Sequence, residues 1–213
     1  MTGRPNPTRV YHITRLEHLP SMITHGIWSD TLASKRGLTS IQIGHQHIKD
    51  QRAKRGVPIA PGGVLADYVP FYFAPRSPML YAIHRNNVRG YSGGCDRIVY
   101  LVCSVPELRR RGLVVVGTDR HAVTRYARFT CDDDELTGFV DWPLMEQVYW
   151  RDQPDDPDRC ERRQAELLVH EHVPWASILG VAAKTSTVRT EVDQIIAAHG
   201  AVTQSRVVPG WYF

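Results

Sequence analysis

The sequence predicts an α+β domain whose core is a mainly antiparallel sheet. Three observations carry this. Strand-like and helix-like segments are mixed along the 213 residues without regular β-α alternation. One segment, Asp96 to Val105, is apolar at nearly every position, as a buried strand is. Neither GxGxxG nor GxxxxGK[ST] occurs, which removes Rossmann-type cofactor binding and the P-loop NTPases.

In chain order, Arg9 to Ile13 reads as a strand with Val10 and Ile13 apolar, and Glu17 to His25 as a helix that Gly26 stops by adopting positive φ. Ser34 to Gly44 lacks either periodicity and reads as a loop. His47 to Arg55 is a basic segment with short-helix character, ended by Gly56 and Pro58. Pro70 to Ala74 is an aromatic strand. Ser77 to Arg85 begins as a helix does, with Ser77 to cap and Pro78 in the first turn. After the buried strand come a short helix, Pro106 to Arg111, and a strand, Leu113 to Val116. Residues 117–160 show few periodic apolar positions and carry acidic runs, Asp132 to Glu135 and DQPDDPD; they read as a loop too long for a passive connection. Strands at Ala165 to Val169 and Ile178 to Ala183, an amphipathic helix at Thr187 to Ala198 and a last strand at Arg206 to Val208 follow.

Length fits one domain, and no repeat or Gly/Ser/Pro-rich linker divides it. A hydrophobic fraction of 42% with 23% charged residues argues against gross disorder. No apolar run approaches the roughly 20 residues of a membrane span, and MTGRPNPTR lacks the apolar stretch of a secretory signal. Cys95, Cys103, Cys131 and Cys160 form no CxxC pair, so the expectation is a reduced, cytoplasmic protein without a zinc site or disulfide framework. The net charge of +4 hides an asymmetry: residues 1–130 carry 19 Lys and Arg against 7 Asp and Glu, and residues 131–213 carry 7 against 15. Two readings stand, an anionic partner for the basic part or two surfaces that attract each other.

Several residues could carry chemistry. Glu166, in ERRQAELLVHEHVPW, sits at the mouth of an apolar strand after a long polar loop, placed to meet a ligand; the competing reading is a surface Glu paired with Arg162 or Arg163. Glu161 lies further from the apolar run. His12 and Thr14, in YHIT, can offer hydrogen bonds to an amide or ribose, or be structural. His170 and His172 share one face of a strand by period two, but no third metal ligand has convincing spacing, and no metal is expected. Arg52 lies in the cluster KDQRAKRG, which could hold a diphosphate or nucleic-acid backbone or be a solvated basic face. Residues 68–83, YVPFYFAPRSPMLYAI, combine aromatics with Arg76, as stacking on unpaired bases needs, although aromatics are more often core.

Together YHIT, DQRAKR, DYVPFYFAPRSPMLYAI and RRQAELLV resemble the DarT family, the toxins of DarT–DarG toxin–antitoxin systems. The resemblance runs over nearly the whole chain in order. It implies the ADP-ribosyltransferase fold, a split antiparallel sheet with flanking helices, and an enzyme that transfers ADP-ribose from NAD to a base in single-stranded DNA. Thymine is the expected base and guanine the alternative. Glu166 falls on the family's catalytic Glu and Arg52 on its catalytic Arg, in the segment that closes over NAD. His12, Ile13 and Thr14 would line the NAD site, residues 117–160 would recognise the substrate, and the partner would be a DarG-type macrodomain antitoxin. On this reading the strand crosses the basic part of the chain and meets Arg76, with stacking on Tyr72 or Tyr81. His121, supported by Arg120 and Arg125, is the expected contact to a base or phosphate, or else caps a helix starting near Ala122. The alternatives are a related transferase acting on RNA or protein, and a non-catalytic module that binds nucleic acid or NAD.

Overall fold

The computed structural model describes residues 3–38 and 45–213. In chain order the elements are β1 (Arg9–Arg15), α1 (Leu19–His25), β2 (Ile27–Trp28), α2 (Asp30–Lys35), α3 (Gln46–Arg52), β3 (Tyr68–Tyr72), α4 (Pro78–His84), β4 (Ile98–Ser104), α5 (Val105–Arg110), β5 (Val115–Thr118), β6 (Phe129–Thr130), α6 (Leu136–Phe139), α7 (Trp142–Glu146), α8 (Arg159–Arg162), β7 (Glu166–His170), β8 (His172–Val173), β9 (Gly180–Ala183), α9 (Ser186–Ala198) and β10 (Gln204–Val207). Eight strands form one sheet in the order β10-β9-β4-β1-β3-β7-β5-β6, and β2 pairs with β8. Among the described residues only β9 and β10 pair in parallel. The expected class therefore holds. Residues 39–44, the end of the loop expected at Ser34 to Gly44, lie outside the described residues, and its start, Ser34 and Lys35, belongs to α2.

The β4 segment reads as continuously apolar because both its faces are covered. Val99, Leu101 and Cys103 join the larger core with α1, α5 and α9, while Ile98 and Tyr100 join Leu80 and Ile83 of α4. Each such burial contributes about 1.5–3 kcal/mol. Ser77 and Ser104 cap α4 and α5 by accepting the N–H groups of Leu80 and Glu107. Gly26 is needed twice over: its φ is +76°, and a Cβ there would lie 2.2 Å from His172 Nε2.

The sheet is nearly cut between β1 and β3. β1 pairs with β4 at seven positions but with β3 at one, Tyr11 opposite Tyr72. Pro70 is a cause. Its carbonyl faces β1 and accepts from His12 Nδ1 at 2.8 Å. The N–H and C=O of a strand residue point the same way, so the missing Pro N–H removes a ladder bond on that side. A side chain closes the gap that backbone leaves open.

Residues 117–160 are not the loop expected. They hold the end of β5, β6 and α6 to α8. The apolar positions are sparse, but Leu136, Val140, Trp142, Leu144 and Met145 are buried in the larger core, while Tyr126, Val148 and Tyr149 are exposed. The acidic residues fold the rest: Arg162 pairs with Asp141, Asp156 and Asp158, and Arg159 with Asp156. Part of the charge asymmetry is also settled internally, through Arg4 and Arg109 to Asp133 and Arg120 to Asp158.

Candidate active site

A cavity of about 850 Å³ opens at the gap between β1 and β3, near the upper end of the ~300–1,000 Å³ typical of small-molecule sites. It is lined by His12, Ile13 and Thr14 of β1, Tyr72 of β3 and Glu166 of β7, together with Arg52 and His121. Ile13 is itself 5% exposed and packs in the cluster under α4.

Glu166 opens β7 opposite Tyr72 and is 1% exposed. Its partner is neither Arg162 nor Arg163, as the surface reading required. Arg52, at the end of α3, donates Nη1–H to Glu166 Oε2 at 2.8 Å, across 114 positions of sequence, and Nη2–H to the Leu65 carbonyl at 3.4 Å. Ala122 N–H donates to Oε1 at 3.2 Å, and His121 Nε2 lies 3.8 Å from the same oxygen. The carboxylate is thus held by a cation on one oxygen and a backbone donor on the other.

The histidines are tuned by burial. Burial pushes the His12 pKa down, against the raising effect of the Pro70 carbonyl. Because a carbonyl only accepts, Nδ1 carries the His12 proton and Nε2 keeps a lone pair. Burial also pushes His121 down, opposed by Glu166. Both rings are neutral at neutral pH. Burial and the Glu166 charge push the Tyr72 hydroxyl up, so it stays protonated.

The remaining predicted residues separate. Tyr72 lines the cavity, with its hydroxyl 3.7 Å from Met79 Sδ. Arg76 stands outside the lining, in the left-handed region at φ 56°, its N–H donated to Tyr100 Oη at 3.1 Å. His121 caps no helix: residues 119–128 form a series of turns, and His121 N–H donates to the Glu161 carbonyl. Arg120 binds Asp158 rather than supporting His121. His170 and His172 do not share a strand face. Glu171 turns the chain at φ 62°, so His170 meets the edge of Tyr68 while His172 stacks on Trp28. No group of three His, Cys, Asp or Glu able to hold a metal occurs among the described residues.

Sequence reasoning missed the residues that fix the carboxylate. Thr118, fully buried, accepts Glu166 N–H at 2.9 Å and donates to the Arg120 carbonyl at 2.7 Å. Asp119 accepts from Arg128 N–H and Nε–H, both at 2.9 Å, and closes the turn that delivers Ala122. An Asp just after a strand is the one available signal, since Asp side chains bind nearby backbone in turns.

Comparison with known proteins places the whole chain beside characterised relatives. The family model described as "ssDNA thymidine ADP-ribosyltransferase, DarT" matches residues 11–213. A Thermus sp. (strain 2.9) protein described as a DNA ADP-ribosyl transferase is 39% identical over 212 residues, covering 98% of each chain. The structure of Thermus sp. 2.9 DarT in complex with ADP-ribosylated ssDNA superposes with a TM-score of 0.93 at 37% identity, covering 100% of this chain and 99% of that one. Thermus sp. 2.9 DarT in complex with NAD+ gives 0.88 at 36%, covering 98% and 99%. His12, Arg52, His121 and Glu166 all fall inside the matched range, and with a cavity of this construction the chain belongs to the DarT family of DNA ADP-ribosyltransferases.

Proposed function

We propose that this protein transfers ADP-ribose from NAD to a thymine base in single-stranded DNA and acts as the toxin of a DarT–DarG-type pair. The observation that carries the reading is the buried Arg52–Glu166 contact inside a dinucleotide-sized cavity that neutral His12 also lines. The relatives whose structures hold NAD+ and ADP-ribosylated ssDNA support it.

The residues fit NAD as a substrate. His12 Nε2 offers an acceptor to ribose or carboxamide groups, and the Thr14 hydroxyl, in the cavity lining, is hydrogen-bonded to His18 Nδ1 at 3.0 Å. In the transfer, the bond between ribose C1′ and the nicotinamide nitrogen breaks and nicotinamide leaves with the electron pair. Positive charge then develops on the ribose. The Glu166 carboxylate stabilises that charge more than the ground state, which lowers the barrier. A ring nitrogen of thymine forms the new bond to C1′ and gives up its proton. Guanidinium stays protonated, so Arg52 orients the base and stabilises its developing anion. The proton passes to the His121 imidazole, kept neutral by burial beside Glu166. A single strand is the substrate because a paired base cannot reach such a cavity without leaving the stack.

The antitoxin would be a DarG-type macrodomain that removes the modification. Four free cysteines fit a reduced, cytoplasmic setting, and no helix among the described residues is long and apolar enough to cross a membrane. Incubation with NAD labelled in its adenylate part, together with single-stranded DNA, duplex DNA, RNA or protein, tests the proposal. Label on single-stranded DNA alone is expected; label on RNA or protein, or none, overturns it.

A further inference from the structure

In sheets, proline is confined to edge strands, first residues of strands and bulges, because it has no N–H to give a ladder. Pro70 breaks that rule. It is the third of the five residues of β3, and β3 lies between β1 and β7. Pairing with β7 nevertheless runs unbroken through it, from Tyr68 opposite His170 to Tyr72 opposite Glu166, with Pro70 opposite Leu168. The proline takes nothing from the strand that carries Glu166. Its missing N–H is lost wholly to β1, the strand that its carbonyl faces.

The register shows what is withheld. Extending the one β1–β3 pair, Tyr11 opposite Tyr72, would bring Ile13 opposite Pro70 and Arg15 opposite Tyr68. Because the Pro70 carbonyl faces β1, Ile13 and residue 70 would exchange two bonds, one from each N–H. Proline cannot give one of them, and the carbonyl that would receive the other accepts from His12 Nδ1 instead. No β1–β3 pair beyond Tyr11–Tyr72 occurs among the described residues. Ile13 and Thr14 on one strand and Tyr68, Val69 and Pro70 on the other line the cavity where that ladder would have run.

We propose that Pro70 is a positioning residue for the transfer: by withholding an N–H from β1 it keeps the cavity open to NAD, and by leaving its carbonyl free it holds the His12 proton on Nδ1, so that Nε2 remains an acceptor. This rests on NAD occupying the cavity. With an alanine at the position, both bonds can form. The ladder then zips at Ile13, and NAD enters only after the two bonds break. An affinity that depends on a minor open state falls by the fraction of that state.

The experiment compares the parent with Pro70→Ala. Transfer to a single-stranded oligonucleotide is followed with NAD varied, nitrogen NMR reads the protonation of the His12 ring, and thermal melting reads stability. In Pro70→Ala, KM for NAD should rise by roughly 5- to 100-fold, the range set by two ladder bonds. Once NAD is bound, kcat should stay within about threefold of the parent, since no interaction made only in the transition state is removed. Tm should stay within a few degrees, because the new N–H finds an acceptor in β1. The His12 proton should no longer be confined to Nδ1. An unchanged KM with the proton still on Nδ1 overturns the proposal. So does a large fall in Tm and kcat at constant KM, which is the signature of a proline that serves the strand alone. Glu166→Gln in the same assay separates the two levels of the argument. If Glu166→Gln is slow while Pro70→Ala behaves as the parent, only the role of Pro70 fails. If both match the parent, NAD does not react in this cavity and the functional reading fails with it.

Discussion

Replacing Glu166 by Gln keeps the shape of the side chain and changes one oxygen into an amide. The structure sets the cost. Oε2 accepts from Arg52 and Oε1 from Ala122 N–H, so both oxygens face donors. Glutamine has one carbonyl oxygen, and whichever way it turns, its NH2 meets a donor. Breaking a buried pair by removing one partner costs about 3–5 kcal/mol. Arg52 borders a cavity wide enough for water, which relieves part of that, leaving about 2–3 kcal/mol. At about 2–4 °C per kcal/mol for a chain of this length, Tm should fall by about 4–12 °C. The effect on transfer is of another kind. Losing a preorganised electrostatic group costs about 100- to 1,000-fold in rate, or about 2.7–4 kcal/mol of barrier. Labelling of a single-stranded oligonucleotide from NAD, well below the variant's Tm, reads the second effect without the first. Activity within a few-fold of the parent under those conditions refutes the electrostatic role of Glu166. An unchanged Tm refutes the buried-pair argument.

Three further outcomes follow from the same geometry. Arg52→Lys should lower turnover at least tenfold, because one ammonium cannot reproduce the planar contacts to Glu166 and Leu65, whereas Lys54→Ala should change only the salt dependence of DNA binding; equal, mild effects would make Arg52 part of a solvated basic face. Thr118→Val leaves the Glu166 N–H without an acceptor and should cost about 1–3 kcal/mol by denaturant unfolding; Thr118→Ser should recover most of it, and a Ser variant as unstable as Val would contradict the assigned bond. The depressed pKa values of His12 and His121 predict that stability falls as pH drops below about 6.5, where the unfolded chain takes up protons that the folded chain refuses, and that the loss is complete once pH passes below the folded-state values. Melting between pH 8 and pH 5 checks this, and His12→Gln should flatten the slope.

Local patterns made much of the fold legible. The Ser-Pro pair at 77 and 78 marked a helix start, and the apolar run at 98–105 marked β4, an interior strand of the sheet. The gap between β1 and β3 was written in Pro70, but seeing it needs the knowledge that β1 is its neighbour, a pairing between positions 58 apart in sequence. Residues 117–160 misled because their short helices are secured by ion pairs and a few buried apolar side chains, neither of which leaves a periodic trace. The cavity residues were found through strand-end chemistry and family resemblance. The backbone donor at Ala122 was not, since a main-chain N–H has no sequence signature.

The central claim is that ADP-ribose is transferred to a thymine base in single-stranded DNA. Nuclease digestion of an oligonucleotide treated with the protein and NAD, followed by mass spectrometry of the nucleosides, tests it most directly. The account predicts one ADP-ribosyl group on thymidine with the parent and, over the same reaction time, about 100- to 1,000-fold slower accumulation with Glu166→Gln. The group on deoxyguanosine, or an unmodified oligonucleotide with the parent protein, would contradict it.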